Sequence, residues 1–436
     1  MKAHYACRSQ DHLVNRRRFL GKMAAGMGTG SALGGMMAAG IGSLAGGVSA
    51  KEMQKRDMRV VVFNMHGGLS QLESWDPKPG TKTGGPTRAI PTSVPGIHIS
   101  EFLPYTAKQM HHLCLMRGVN TSEDDHGKGT YLMLTGRRQS PAADYPQIGA
   151  VAAKSLCDES LGLPGHILIT PGGGGGRGNE AAYLGPKYSS IALGGDKPPQ
   201  NSVKPESISD QAEARRHAFR RQIDQRFLQQ QRSAITDAYT YSYEQALRLM
   251  ERRDVFDLSK EPESETQRYG NSDFGRQCLL ARRLLENGVS FVQVTHSNYD
   301  THNENFNFHI EQLGEFDRPF ATLVDDLAQR GLLDQTLVVV LSEFGRTPNI
   351  NLYYGRDHWS RAWSVVIGGA KVARGATFGA TNEEGTEVTD GQVDHGQLFH
   401  TYLQAVGVDS TDSLLVDGRE LPIADPSTSP IWDVLT

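Results

Sequence analysis

The sequence predicts an α/β protein built on one doubly wound, mostly parallel sheet, with helices on both faces and a helical insertion. Two observations carry that expectation. Short, continuous β-branched runs recur along the chain, as strands buried on both faces require, and amphipathic stretches of helical period separate them. A length of 436 residues, 38% hydrophobic and 22% charged, allows one large soluble domain or two medium ones.

The elements follow in order. Arg59-Val60-Val61-Val62-Phe63-Asn64 reads as the first buried strand and His166-Ile167-Leu168-Ile169-Thr170 as the second. Val289 to Val294, Thr336 to Leu341 and Trp363 to Ile367 supply three more. Helical periods cover Asp273–Glu286, Ile310–Gln329 and Gln397–Val406, the first closed by Asn287-Gly288 as a left-handed stop. No linker divides residues 51–436, which read as a single domain. The charged, Gln/Arg-rich stretch Gln211–Asp254 reads as a pair of exposed helices inserted at about 205–260. Pro171 through Gly178 is a glycine run, read as a flexible loop because it lacks the Lys-Ser/Thr of a phosphate cradle.

Residues 1–50 stand apart. Arg16-Arg17-Arg18-Phe19-Leu20 heads a Gly/Ala/Met-rich stretch ending in Val48-Ser49-Ala50, the pattern of a cleaved twin-arginine signal. A membrane anchor is the competing reading, disfavoured because a glycine-rich segment is only weakly apolar. The pattern implies the twin-arginine export machinery as a partner, a periplasmic or extracellular location and no stable membrane span after cleavage. Removing the segment takes the formal charge from −4 to −9. That surplus argues against nucleic acid as a partner. Four Cys without a CxxC pair exclude a disulfide scaffold and a zinc ribbon.

Ligands of open α/β sheets collect beyond the carboxyl ends of the strands. His66-Gly67-Gly68-Leu69-Ser70 follows the first strand, and His296 through Asp300-Thr301-His302 follows the third. Ser342-Glu343-Phe344-Gly345-Arg346 and then Asp357-His358 follow the fourth, while Glu123-Asp124-Asp125-His126 precedes a helical period ending at Leu134-Thr135-Gly136-Arg137. Each has an ordinary structural reading. A lone histidine turn is commonly polar surface, Asp300 and Ser342-Glu343 suit helix caps, and Asp357-His358 suits a structural pair. Their convergence at strand ends is what a hydrolytic metal site needs: carboxylates and imidazoles around a divalent cation with an open position. Mixed His and carboxylate donors favour zinc or manganese over calcium or magnesium.

Gly67-Gly68-x-Ser70, Trp75-Asp76-Pro77-Lys78-Pro79, Phe274 through Leu284, Asp300-Thr301-His302, Ser342 through Pro348 and Gly355 through Trp359 together resemble one bacterial family, domain of unknown function fifteen hundred and one. The resemblance spans nearly all of the chain after the signal. It implies an alkaline-phosphatase/sulfatase-like fold and no established reaction. Laid on that superfamily's pattern, Asp300, His302 and His358 match metal ligands, and Glu343 keeps the acid of an Asp-His pair whose imidazole becomes Phe344. His66 stands where a metal-binding acid is expected. His126 stands where sulfatases place their nucleophile, and no Cys or Ser is there to become formylglycine.

The function this implies is an exported metal-dependent hydrolase of an anionic small-molecule or polysaccharide ester, phosphate or sulfate. Asp300, His302 and His358 hold one divalent ion; Glu343, with His66 or Asp357, holds a second or supports the first. His126 acts as ligand, general acid/base or nucleophile, with Ser70 a lower-ranked nucleophile. Arg346 or Arg137 would neutralise the substrate oxyanion. The rival is a non-catalytic exported binding protein on a degenerate hydrolase scaffold.

Overall fold

The structure is a computed structural model, and it describes residues 57–436 apart from 142, 172–178, 200–201, 231–233 and 417. The segment expected to be an export signal and residues 172–178 of the glycine run lie outside the described residues. The central sheet has eight strands: β1 (Arg59–Met65), β2 (Leu113–Val119), β3 (His166–Thr170), β4 (Ile191–Gly194), β5 (Phe291–His296), β6 (Thr336–Leu341), β7 (Trp363–Gly368) and β8 (Ala376–Phe378). Their spatial order is β8-β2-β7-β6-β1-β5-β3-β4. Every pairing is parallel except the two made by β7, which runs against both β6 and β2.

The helices are α1 (Pro104–Gln109), α2 (His126–Thr135), α3 (Ile148–Leu156), α4 (Asp210–Gln230), α5 (Ala234–Glu251), α6 (Glu263–Tyr269), α7 (Asp273–Glu286), α8 (Asn305–Gln329) and α9 (His395–Ala405). Alternation along β1 shows why its valines run unbroken. Val61, Phe63 and Met65 pack into one core with residues of α7 and α8, while Val60 and Val62 pack into another with residues of α2, α3 and α9. Both faces are covered, so apolar residues run unbroken from Val60 to Phe63 before the buried Asn64 near the rim.

All five anticipated strands are present, although the last runs antiparallel. The helix expected from Ile310 starts earlier, at Asn305, and carries Pro319 inside it. α4 and α5 fill the place expected for an inserted helical pair. The strand Leu-Cys-Leu-Met-Arg-Gly-Val of β2 was not anticipated; Val119 is its only β-branched residue, so nothing marks it off from buried helix. No helix among the described residues is long and apolar enough to cross a membrane.

Strand direction positions the site. β1, β2, β5 and β6 end at one rim, and the reversed β7 begins there, so segments 66–70, 120–126, 297–302, 342–346 and 356–360 gather at one edge.

Candidate metal centre

His126 opens α2, whose N-cap Asp125 accepts from the Lys128 amide at 2.9 Å. Gly129 lets that helix lie close, since a Cβ there would come within 2.9 Å of the Glu343 carbonyl oxygen. Gly67, at φ 118°, faces the Asp300 amide so closely that a Cβ would sit 2.6 Å from it. The glycine pair after β1 is thus a tight turn that brings the Asp300 and Glu343 segments together.

Three imidazoles share one pattern. The Nδ1 atoms of His126 and His302 lie 2.7 Å from Glu343 Oε1 and Asp357 Oδ1, and that of His358 lies 2.7 Å from the Asp124 carbonyl oxygen. Such partners can only accept, so each Nδ1 donates, and the neutral ring turns its Nε2 lone pair toward Asp300. His302 Nε2 and His358 Nε2 are each 3.2 Å from Asp300 Oδ1 and 3.1 Å from one another. His126 Nε2 lies 3.3 Å from Asp300 Oδ2 and has no hydrogen-bond partner although the atom is buried.

These distances bear on a cation. Ligand atoms about 2.0 Å from a tetrahedral zinc stand about 3.3 Å from each other. The triangle of His302 Nε2, His358 Nε2 and Asp300 Oδ1 has close to those edges, as one face of a tetrahedron would. Two nitrogen lone pairs at 3.1 Å repel unless a proton or cation lies between them. His126, Asp300 and His358 also form a group whose ligand atoms all fall within 4.8 Å, so Asp300 offers one oxygen to each side. The donor set fits a divalent ion.

Electrostatics agree. Burial raises the Asp300 carboxyl, but the Arg346 hydrogen bond and charge, with His358 and His126, outweigh it and hold the group at about 2. Burial likewise works against the Glu343 carboxylate, yet the His126 bond, the nearby His66 and the Gly67 amide keep it below its ordinary value. The Glu343 bond in turn raises His126. Phe344, fully buried, places its ring centre 4.8 Å from that of His126 and 4.4 Å from that of His358, an aromatic wall holding both rings.

Other expected residues are placed differently. Glu343 Oε1 is occupied by His126 and the Gly67 amide and Oε2 by the Ser342 hydroxyl, so it orients His126 and does not itself face a cation. Asp357 orients His302 in the same way. His66 is exposed and stacks beside His126 at 6.1 Å between ring centres, outside the group of three. Arg346 does not reach a substrate. It is fully buried and donates to the carbonyls of Gly67, Gly68 and Arg356 and to Asp300 at 2.6 Å. Arg137 lies beyond the far end of α2, roughly 15 Å along the helix from His126, and donates to the Pro422 and Ala424 carbonyls. Ser70 is sealed in the core, where its amide donates to His309 Nε2 at 3.1 Å, so it is no nucleophile for an external ester.

Sequence reasoning missed three supports. Arg356, fully buried, grips the fully buried Glu73 through Nε and Nη2 at 2.8–3.2 Å and also donates to the carbonyls of Thr83, Thr347 and Pro348. That clamp fixes the chain on which Asp357 and His358 sit. Nothing in the local sequence marks Glu73 as the partner of an arginine 283 positions away. The third support, the Asp124 carbonyl, carries no side-chain signal.

A family model described as "Protein of unknown function (DUF1501)" matches residues 57–435. A comparison with curated proteins gives no match. Among solved structures, the chain is similar to the C-terminal periplasmic domain of EcEptC from Escherichia coli in complex with Zn, at 9% identity over 87% of this chain and 95% of that one, TM-score 0.40. It is also similar to the PsFucS1 sulfatase from Pseudoalteromonas sp., at 13% identity over 82% and 69%, TM-score 0.36. A protein in the alkaline phosphatase superfamily from Vibrio parahaemolyticus matches at 12% identity over 81% and 67%, TM-score 0.36. The likeness is one of fold, and distant.

Proposed function

We propose, for a chain that belongs to the DUF1501 family of proteins of unknown function, an exported metal-dependent hydrolase of phosphate or sulfate esters, related to the alkaline phosphatase superfamily. One observation supports this above the rest: three imidazoles, each tied through Nδ1 to an oxygen acceptor, turn Nε2 onto Asp300. Asp300, His302 and His358 would hold one divalent cation, zinc or manganese by donor type, with His126 and the second Asp300 oxygen open to another. Bound there, the cation supplies Lewis acidity to an ester oxygen.

The protein's own groups do the rest. Asp300, Glu343 and Asp357 outnumber the one buried guanidinium of Arg346, so the bare rim repels anions and the ester's charge needs a bound cation to offset it. Arg346 holds Asp300 ionised and aimed. Glu343 keeps the His126 Nδ1 protonated, leaving Nε2 free as ligand or proton acceptor. The segments from separate strands fix these groups without requiring a lid.

A second reading keeps support from one feature. The start of α2, where a nucleophile would sit, carries His126, whose Nδ1 is already committed to Glu343. A cation-dependent binding protein needs no nucleophile. Elemental analysis of purified protein, followed by assays on phosphate and sulfate mono- and diesters with and without chelator, separates the two. Turnover lost to chelator selects the hydrolase, bound metal without turnover selects the binding protein, and absence of metal after loading sinks both.

A further inference from the structure

Beside the cation ligands, Leu352, Tyr353 and Tyr354 stand 95%, 72% and 68% exposed. Three consecutive large apolar side chains in water mark a contact surface. Their backbone is held firmly. Asn351 Oδ1 accepts from the amides of Tyr353 at 2.9 Å and Gly355 at 3.0 Å, and its Nδ2 donates to the His302 carbonyl at 2.9 Å. The Glu304 and Asn305 amides donate to the carbonyls of Tyr353 and Tyr354 at 3.1 and 3.0 Å. Tyr354 sits at φ 58°, a left-handed conformation costing an aromatic residue about 1 kcal/mol. At Gly355 a Cβ would fall 1.9 Å from the His302 carbonyl oxygen, so only glycine fits. The aromatic pair and the imidazole of His302 therefore move as one body.

We propose that Leu352, Tyr353 and Tyr354 form a sugar-stacking platform, which makes the organic part of the ester a glycan chain; this deepens the hydrolase reading and rests on it for the word ester. The loop from Thr347 to Gly355 carries no charge, so it suits the neutral body of a substrate whose charge goes to the cations. Rings this exposed suit a hydrated polymer that offers one C–H face per residue, whereas a lipid tail needs enclosure. Tyrosine adds a hydroxyl at the edge of each apolar face, where sugar hydroxyls lie. Phe308, 39% exposed, lies one turn into α8 from Glu304, whose amide holds the Tyr353 carbonyl.

The test is calorimetric binding of neutral hexamers of galactose, glucose, mannose and fucose to the full chain with chelator present, so that the cation site contributes nothing. We expect at least one hexamer to bind, Tyr353→Ala and Leu352→Ala each to weaken it about 10-fold with an unchanged melting temperature, and Tyr353→Phe to retain it. Phe219→Ala, which removes a 64% exposed ring on α4, serves as the control and should change nothing. No binding by the native chain, or equal loss in the Phe219 variant, overturns the platform. Glycan binding by a protein that turns over no ester keeps the platform and sinks the hydrolase.

Discussion

The ion network joining α6, α7 and α8 and the imidazole cluster at the sheet rim both crowd charged groups, yet they balance them differently. In the network, Arg268, Arg282, Arg283 and Arg330 face Glu261, Glu265, Glu286, Asp325 and Asp326, four cations against five anions. Arg282, 1% exposed, bridges four of those carboxylates within 3.9 Å. At the rim, Asp300, Glu343 and Asp357 meet only Arg346, and the remaining partners are imidazoles turning lone pairs inward. A network whose charges nearly cancel holds helices together. One that leaves negative charge and lone pairs facing a shared point is built for something added.

That difference can be broken by substitution, and the largest effect belongs at Asp300. Asp300→Ala should lower metal affinity roughly 10³-fold or more, about 4 kcal/mol, measured by competition with a chromophoric chelator. Retained stoichiometric metal would place the cation elsewhere. Next comes the clamp behind the rim. Glu73→Gln leaves Arg356 buried without its counter-charge and should cost about 3–5 kcal/mol in denaturant unfolding; a midpoint like the native one would mean that the segment 356–358 is held by its other contacts.

Acid should destabilise the metal-free protein by a comparable amount. Burial pushes His166 and His309 down to about 4, while the unfolded chain protonates near 6.5. Between those values the unfolded state binds more protons, so stability present above about 6.5 is lost as pH falls toward 4, by up to about 3 kcal/mol for each ring. A flat unfolding free energy across that window would show both imidazoles titrating as in water. Glu343→Gln, which removes charge but keeps the shape behind His126, should weaken metal about 10- to 100-fold with little change in stability. Smallest is Arg330→Ala at the exposed edge of the helix network, within about 1 kcal/mol by thermal melting.

The fold was legible where burial imposes a pattern. Unbroken valine runs in β1 and β6 mark strands covered on both faces, and Asn287-Gly288 marks the end of α7. β2 was illegible because leucine, methionine and cysteine serve a buried strand and a buried helix equally. At the rim, Asp300, His302 and His358 stood out by their position after strands, and the structure brings their side chains together. Their supports did not stand out. Arg346 looked like an oxyanion clamp, yet it lies buried among carbonyls, because the same fork that suits a phosphate suits three backbone oxygens. Glu73 and the Asp124 carbonyl are defined by contacts 283 and 234 residues away, beyond the reach of any local pattern.

The reversal of β7 has a consequence for how such a protein diversifies. β1, β2 and β5 leave the rim by crossovers that must descend the sheet before the next strand begins, but β6 is followed by β7, which starts at the rim itself, so the excursion between Arg346 and His358 never has to descend the fold. The exposed side chains there can change while the hairpin bridge between those two residues keeps its register. Swapping residues 352–354 between relatives, with Asn351 and Gly355 kept because they tie the loop to His302, should therefore exchange what is recognised while leaving Asp300, His302 and His358 where they are.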